Sequence, residues 1–104
     1  MLKQYNKLVR DNIPNILKEK KINCKCHVAK KEEYLKKLFE KLKEEIQEFE
    51  DVPSINEFAD IMEVMEYIGK YYKFNLDEIK LAKKMKKMTR GGFNKRIVLE
   101  STNK

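Results

Sequence analysis

At 104 residues the chain has room for one domain, and with 41% hydrophobic against 39% charged residues it can build one modest core with little to spare. The formal net charge of +7 is carried by lysine, since Arg10, Arg90 and Arg96 are the only arginines. That balance favours anionic partners such as phosphates, nucleic acid or a membrane surface, and serves solubility equally, because lysines occupy almost every segment. No apolar stretch approaches the ~20 residues of a membrane span and the first twelve residues carry no apolar run of the secretory kind, so a cytoplasmic protein with two reduced cysteines is expected.

In chain order, the segment from Lys7 to Pro14 leads into a short helix that ends near Lys20, with Asp11 available as a cap and Pro14 tolerated in the first turn. Alternation over residues 22–28 predicts a short strand. A long helix follows over about 31–50, with Leu35, Leu38, Phe39, Leu42, Ile46 and Phe49 spaced by three and four. After the brief Asp51-Val52-Pro53 connection, Ser54-Ile55-Asn56-Glu57 reads as a capping box opening a second long helix to about Tyr72, whose stripe is Ile61, Val64, Met65, Ile68 and Tyr72. Asn75 to Glu78 opens a last helix by the same capping logic, and Gly91-Gly92 ends it. Residues 95–100 look like a strand and are a candidate partner for 22–28. The fold class expected is mainly α: a single domain over residues 1–104, an antiparallel helical bundle with a short two-stranded β element at about 22–28 and 95–100.

Glu45, Glu48, Glu57 and Asp60 are the most informative residues. Each pair is spaced i, i+3 and so shares one side of its helix. At 100° per residue Glu57 falls in the middle of the Ile61–Val64–Ile68 stripe with Asp60 on its edge, and Glu45 lies on the edge of the Leu38–Leu42–Phe49 stripe with Glu48 further round. Carboxylates avoid such faces, because burying an unpaired charge is costly. A short connection implies an antiparallel hairpin. Reflection about the Val52–Pro53 connection then sets Glu48 level with Glu57 and Glu45 level with Asp60. Four converging carboxylates need either protons or a cation between them, and an all-oxygen donor set suits Mg²⁺ or Mn²⁺ rather than zinc. The plain alternative is that Glu–Lys patterns fill solvated helix faces and that Glu57 serves only as the capping-box residue.

These residues resemble the MazG-like, phosphoribosyl-ATP pyrophosphohydrolase-like group of all-α NTP pyrophosphohydrolases, and within it the small house-cleaning branch that opens on Tyr-Asn-Lys-Leu-Val-Arg-Asp-x-Ile-Pro, here Tyr5 to Pro14. The middle motif is Lys41-Leu-Lys-Glu44-Glu45-Ile-Gln-Glu48 followed by Glu57-Phe-Ala-Asp60-Ile-Met-Glu-Val64. The end motif is Arg90-Gly91-Gly92-Phe93 with the Ile97-Val98-Leu99 tail. The resemblance implies hydrolysis of a nucleoside triphosphate to monophosphate and pyrophosphate. It also implies metal ligation by Glu45, Glu48, Glu57 and Asp60 with Glu44 beside them, and a homodimer or dimer of dimers built from helical bundles. The stretch between Glu48 and Glu57 is shorter than in the group, a departure that bears on the substrate pocket and on the number of metals bound.

Phosphoanhydride hydrolysis needs charge neutralisation and a positioned water more than covalent chemistry. Glu48 or Glu45 is the candidate proton acceptor. Lys7, Arg10, Lys87 and Arg90 are the candidate phosphate-binding cations, each weighed against a solvated or structurally paired side chain. Gly91-Gly92 can offer backbone N–H groups to an anion, and Phe93 either stacks on a base or packs. Cys24-Lys25-Cys26-His27 invites zinc. On a strand, however, His27 points away from the two thiols and no further Cys or His completes four ligands, so filling a strand is the better reading. Met62, Met65, Met85 and Met88 suit core packing or a subunit interface, as do Tyr67, Tyr71 and Tyr72, which could otherwise line a base pocket. Two rivals to the enzyme are a nucleic-acid-binding or regulatory helical module, using Lys80, Lys83, Lys84, Lys86, Lys87 and Arg90, and a catalytically silent member that only oligomerises.

Overall fold

Apolar residues at three-and-four spacing, interrupted by Pro, Ser and Gly at the expected boundaries, produce helices throughout the computed structural model, which describes residues 3–103. The elements are α1 (Ile13–Glu19), α2 (Lys31–Asp51), α3 (Ile55–Tyr71) and α4 (Leu76–Arg90), with no strand among the described residues. The chain divides into two compact units, Met1–Lys73 and Phe74–Lys104. No helix is long and apolar enough to cross a membrane.

In the first unit α2 and α3 form the predicted antiparallel hairpin across residues 52–54. Ser54 stops the chain from running on as one helix: its Oγ accepts from the Glu57 backbone N–H at 3.1 Å, the first half of a capping box. The second half is missing, because the Glu57 carboxylate turns into the hairpin instead. Aromatic contacts mark both ends of the packed face, Phe49 against Phe58 with ring centroids 5.7 Å apart and Tyr34 against Tyr71 at 6.3 Å. Between them Leu38 and Ile68 are the buried hydrophobic residues. Leu42, Ile61 and Val64 are half-buried, whereas Phe39, Ile46, Met65 and Tyr72 of the predicted stripes are exposed. The buried faces are thus narrower than periodicity suggests. Leu38 is 2% exposed in a unit with so little core. Leu38→Ala is therefore expected to remove roughly 2–4 kcal/mol and to lower the urea midpoint sharply.

Asp11 does not cap α1; Asn12 holds the N-cap position without a side-chain cap bond, and Pro14 sits in the first turn as expected. At the other end Lys21 adopts a left-handed conformation (φ 59°), with Lys21 N–H donating to the Lys18 carbonyl and Ile22 N–H to the Leu17 carbonyl, both at 2.9 Å. This is a Schellman closure with lysine where glycine is usual. Lys21→Gly is expected to gain up to ~1 kcal/mol in chemical denaturation, the relief of the strained φ slightly exceeding glycine's entropy cost.

The predicted strand at 22–28 does not form, and neither does that at 95–100. Alternation makes a strand only where a ladder partner and a packing face exist. Val28 is 96% exposed, and Ile97, Val98 and Leu99 are each about 80% exposed. His27 instead bonds both oxygens of Glu33 in the first turn of α2, at 3.0 Å each.

In the second unit Asn75 caps α4, its Oδ1 accepting from the N–H groups of Asp77 and Glu78. Gly91 ends the helix at φ 84°, ψ 177°, a region open essentially to glycine alone, while its N–H closes on the Lys87 carbonyl at 2.9 Å. Gly91→Ala is expected to cost about 1–3 kcal/mol and to fray the last turn of α4, read as lost amide-exchange protection at position 91 and at Thr89.

Candidate metal centre

Because α2 and α3 run antiparallel, their i, i+3 carboxylate pairs meet at one level of the hairpin. Glu45 occupies a core position in line with Leu38, Leu42 and Phe49 and is only 5% exposed. One carboxylate oxygen from each of Glu45, Glu57 and Asp60 lies within 4.8 Å of the others, and Glu44, Glu45 and Glu48 form a second such group that shares Glu45. All four predicted ligands therefore belong to one connected acidic cluster, with Glu48 on its exposed side.

The cluster is incompletely neutralised. Lys41 lies 3.3 Å from Glu45 and 3.9 Å from Glu44. Lys7 reaches Glu44 at 3.2 Å, and Arg10 Nη2 bridges Asp60 at 2.7 Å and Glu63 at 2.8 Å. Three cations thus pair with Glu44, Glu45, Asp60 and Glu63, while Glu48 and Glu57 have no ion-pair partner among the described residues. Glu45 Oε2 and Glu57 Oε2 are both sealed from solvent, and neither has a hydrogen-bond partner. Two buried, acceptor-only oxygens without a donor are a costly arrangement for a helix pair to keep. Either a proton or a cation relieves it, and the Glu57 carboxyl is accordingly pushed up to about 7. The first cause is the proton it can share with Glu45, then burial, then the charges of Glu45 and Glu48. The donors are all oxygen and come from two facing helices, which fits a hard divalent ion and does not fit a thiolate-seeking one.

Lys7 and Arg10 are brought to the cluster, as ion-pair partners of its carboxylates. The irregular stretch that carries them links α2, through Glu44, with α3, through Asp60 and Glu63. The two oppositely charged neighbours raise the Arg10 pKa further, Glu63 contributing before Asp60. Glu63 was not singled out in the sequence; its i, i+3 spacing from Asp60 is the signal that could have found it.

Lys87, Arg90 and Phe93 lie in the second unit. Arg90 and Phe93 line one open concavity with Gly91, Gly92, Lys95 and Arg96, and the Phe93 ring is 97% exposed. Lys95 and Arg96 were not among the predicted cations; Arg96 sits there in a left-handed backbone conformation (φ 55°), its N–H closing on the Phe93 carbonyl.

In class, then, the first unit is a helical hairpin whose facing helices bring together an acidic cluster centred on the buried Glu45, with a donor set that could hold a metal ion. No family of known proteins, no curated protein and no solved structure matches the chain.

Proposed function

We propose that the chain is a nucleotide pyrophosphohydrolase of the MazG-like type. In this reading a nucleoside triphosphate, standard or modified, or a related nucleotide reacts with water to give the monophosphate and pyrophosphate. The observation that carries it is the pair of sealed, partnerless oxygens on Glu45 and Glu57 within the acidic cluster of Glu44, Glu45, Glu48, Glu57 and Asp60. Glu45, Glu48, Glu57 and Asp60 would hold Mg²⁺, with Mn²⁺ the alternative. Such an ion, when bound, would neutralise phosphate charge and acidify a water. Glu48, on the solvent side of the cluster, takes the proton of the attacking water, with Glu45 as the alternative acceptor. Glu44, held by Lys7 and Lys41, and Asp60, held by Arg10, are oriented by those cations.

Arg10 uses only Nη2 in its two ion pairs and stays largely exposed, so its other N–H groups are free to bind a phosphate. Lys7 is assigned to phosphates on charge; within the second unit, taken by itself, Lys87 and Arg90 are further candidate phosphate-binding cations and the exposed Phe93 ring a candidate base-stacking surface. Exposed Phe58, Met62 and Met65 on α3 support a homodimer or dimer of dimers, since such a face is covered most simply by a second copy. A cytoplasmic location suits the two free thiols.

The test is Mg²⁺-dependent release of pyrophosphate across a panel of standard and modified nucleotides, with a chelator control. No release with either metal would sink the reading. The basic concavity around Arg90, Lys95 and Arg96 favours a second reading, a nucleic-acid-binding module; its signature is salt-sensitive binding to nucleic acid that Glu57→Gln leaves unchanged. A stable oligomer with neither activity would mark a catalytically silent protein.

A further inference from the structure

Away from the acidic cluster, the thiols of Cys24 and Cys26 lie in contact, with Sγ atoms 3.8 Å apart. Both residues are exposed. The segment that carries them is irregular, so the two thiols are not the filling of a strand. The Schellman closure at Lys21 folds the chain back at the end of α1. Pro14, Asn15 and Lys18 of α1 thereby form one side of a cleft whose other side is Ile22, Asn23 and the two cysteines.

The chemistry of this cleft is narrow. His27, the nearest nitrogen donor in sequence, is turned to Glu33. No group of three converging His, Cys, Asp or Glu ligands among the described residues includes either cysteine. Structural zinc needs four ligands and a hard ion needs oxygens. Two sulfurs alone suit a soft ion of low coordination number. With a metal–sulfur bond of about 2.3 Å, two sulfurs on one ion lie roughly 3.8 Å apart at a tetrahedral angle and about 4.6 Å apart in line. The observed separation is at the near end of that range, and rotation of either exposed side chain widens it. A disulfide, by contrast, needs the sulfurs at about 2.05 Å.

We propose that Cys24 and Cys26 form a bidentate dithiolate site for one soft, thiophilic cation of the Cu(I) class. Binding replaces two S–H bonds with two sulfur–metal bonds and releases two protons. Two thiolates and one monovalent ion leave a single negative charge, and Lys18, one of the residues lining the same cleft, is the cation at hand to offset it. The Cys26 thiol donates to Cys24 Sγ, so the two sulfurs already face each other. The site is independent of the hydrolase reading.

The test is an anaerobic titration of the reduced full chain with Cu(I) held by a chromophoric chelator such as bicinchoninate. The chain is expected to withdraw one copper. Cys24→Ser and Cys26→Ser are each expected to weaken binding by at least about a hundredfold, whereas His27→Ala leaves it unchanged. Helical circular dichroism of the serine variants should match the parent, because neither thiol is in a helix or a core. Four results would overturn the proposal: no copper withdrawn, one copper per two chains, equal binding by either serine variant (which would assign the metal to the exposed methionines), or a loss in His27→Ala as large as in the serine variants.

Discussion

Glu57→Gln is expected to abolish pyrophosphate release, lowering it on the order of a thousandfold, while making the metal-free protein more resistant to unfolding near neutral pH. The two effects have opposite signs for one reason. Glu57 Oε2 is sealed, partnerless and close to Glu45 and Glu48, so its charge is unwelcome in the fold unless a cation sits beside it. The neutral amide removes that repulsion and also removes a ligand. Asp60→Asn should likewise cost turnover, but without the gain in stability, because it breaks the 2.7 Å ion pair with Arg10. Glu48→Gln is expected to abolish turnover with little change in unfolding, since Glu48 lies on the exposed side. Steady-state pyrophosphate release measured beside urea melts of the same samples separates the cases. Full activity in any two of the three variants would discredit the site, and a Glu57→Gln protein less stable than its parent would show that the carboxylate is a structural partner after all.

How far such a site can be read from sequence depends on the range of the interactions that make it. The hairpin was legible because its determinants are local: Ser54 as a stop and cap, a three-residue connection, and apolar spacing on both sides. Reflection about that connection sets Glu45 level with Asp60 and Glu48 level with Glu57; the structure brings Glu45, Glu57 and Asp60 within 4.8 Å of one another and groups Glu48 with Glu44 and Glu45. Periodicity even marked Glu45 as sitting where a hydrophobic side chain belongs, although it gave the edge of the stripe where the structure has a core position.

What escaped the sequence is what depends on distant partners. Arg10 meets Asp60 across 50 residues and Lys7 meets Glu44 across 37, so nothing in either local pattern names the partner. The strands at 22–28 and 95–100 were expected from alternation, which records a tendency to pair and not the presence of something to pair with. The Schellman closure at Lys21 was hidden because lysine stands where glycine would have announced it. The capping box was half right: Ser54 accepts its bond, but Glu57 is more strongly claimed by the groove than by its own helix end.

The second large effect expected is a coupling between pH, divalent metal and stability. The Glu57 carboxyl sits at about 7 in the fold against an ordinary value of 4.5. The folded state therefore holds a proton that the unfolded chain has released between those limits, and in that window stability falls as pH rises. The contribution is fully present below about pH 4.5, is lost progressively up to about pH 7, and is flat above. A cation competes with that proton, so added Mg²⁺ should raise the thermal midpoint clearly at about pH 8 and little at about pH 5. Binding in the intermediate range should release up to about one proton per ion, measurable as a buffer-dependent heat in calorimetry. In Glu57→Gln the pH slope of the metal-free protein should vanish and the Mg²⁺ effect with it. An unchanged slope in that variant would move the titration to another group. Equal stabilisation by Mg²⁺ at both pH values would mean that the ion binds elsewhere on the surface, because only a site that must expel a proton from Glu57 can lose its affinity as the solution becomes acidic through this range.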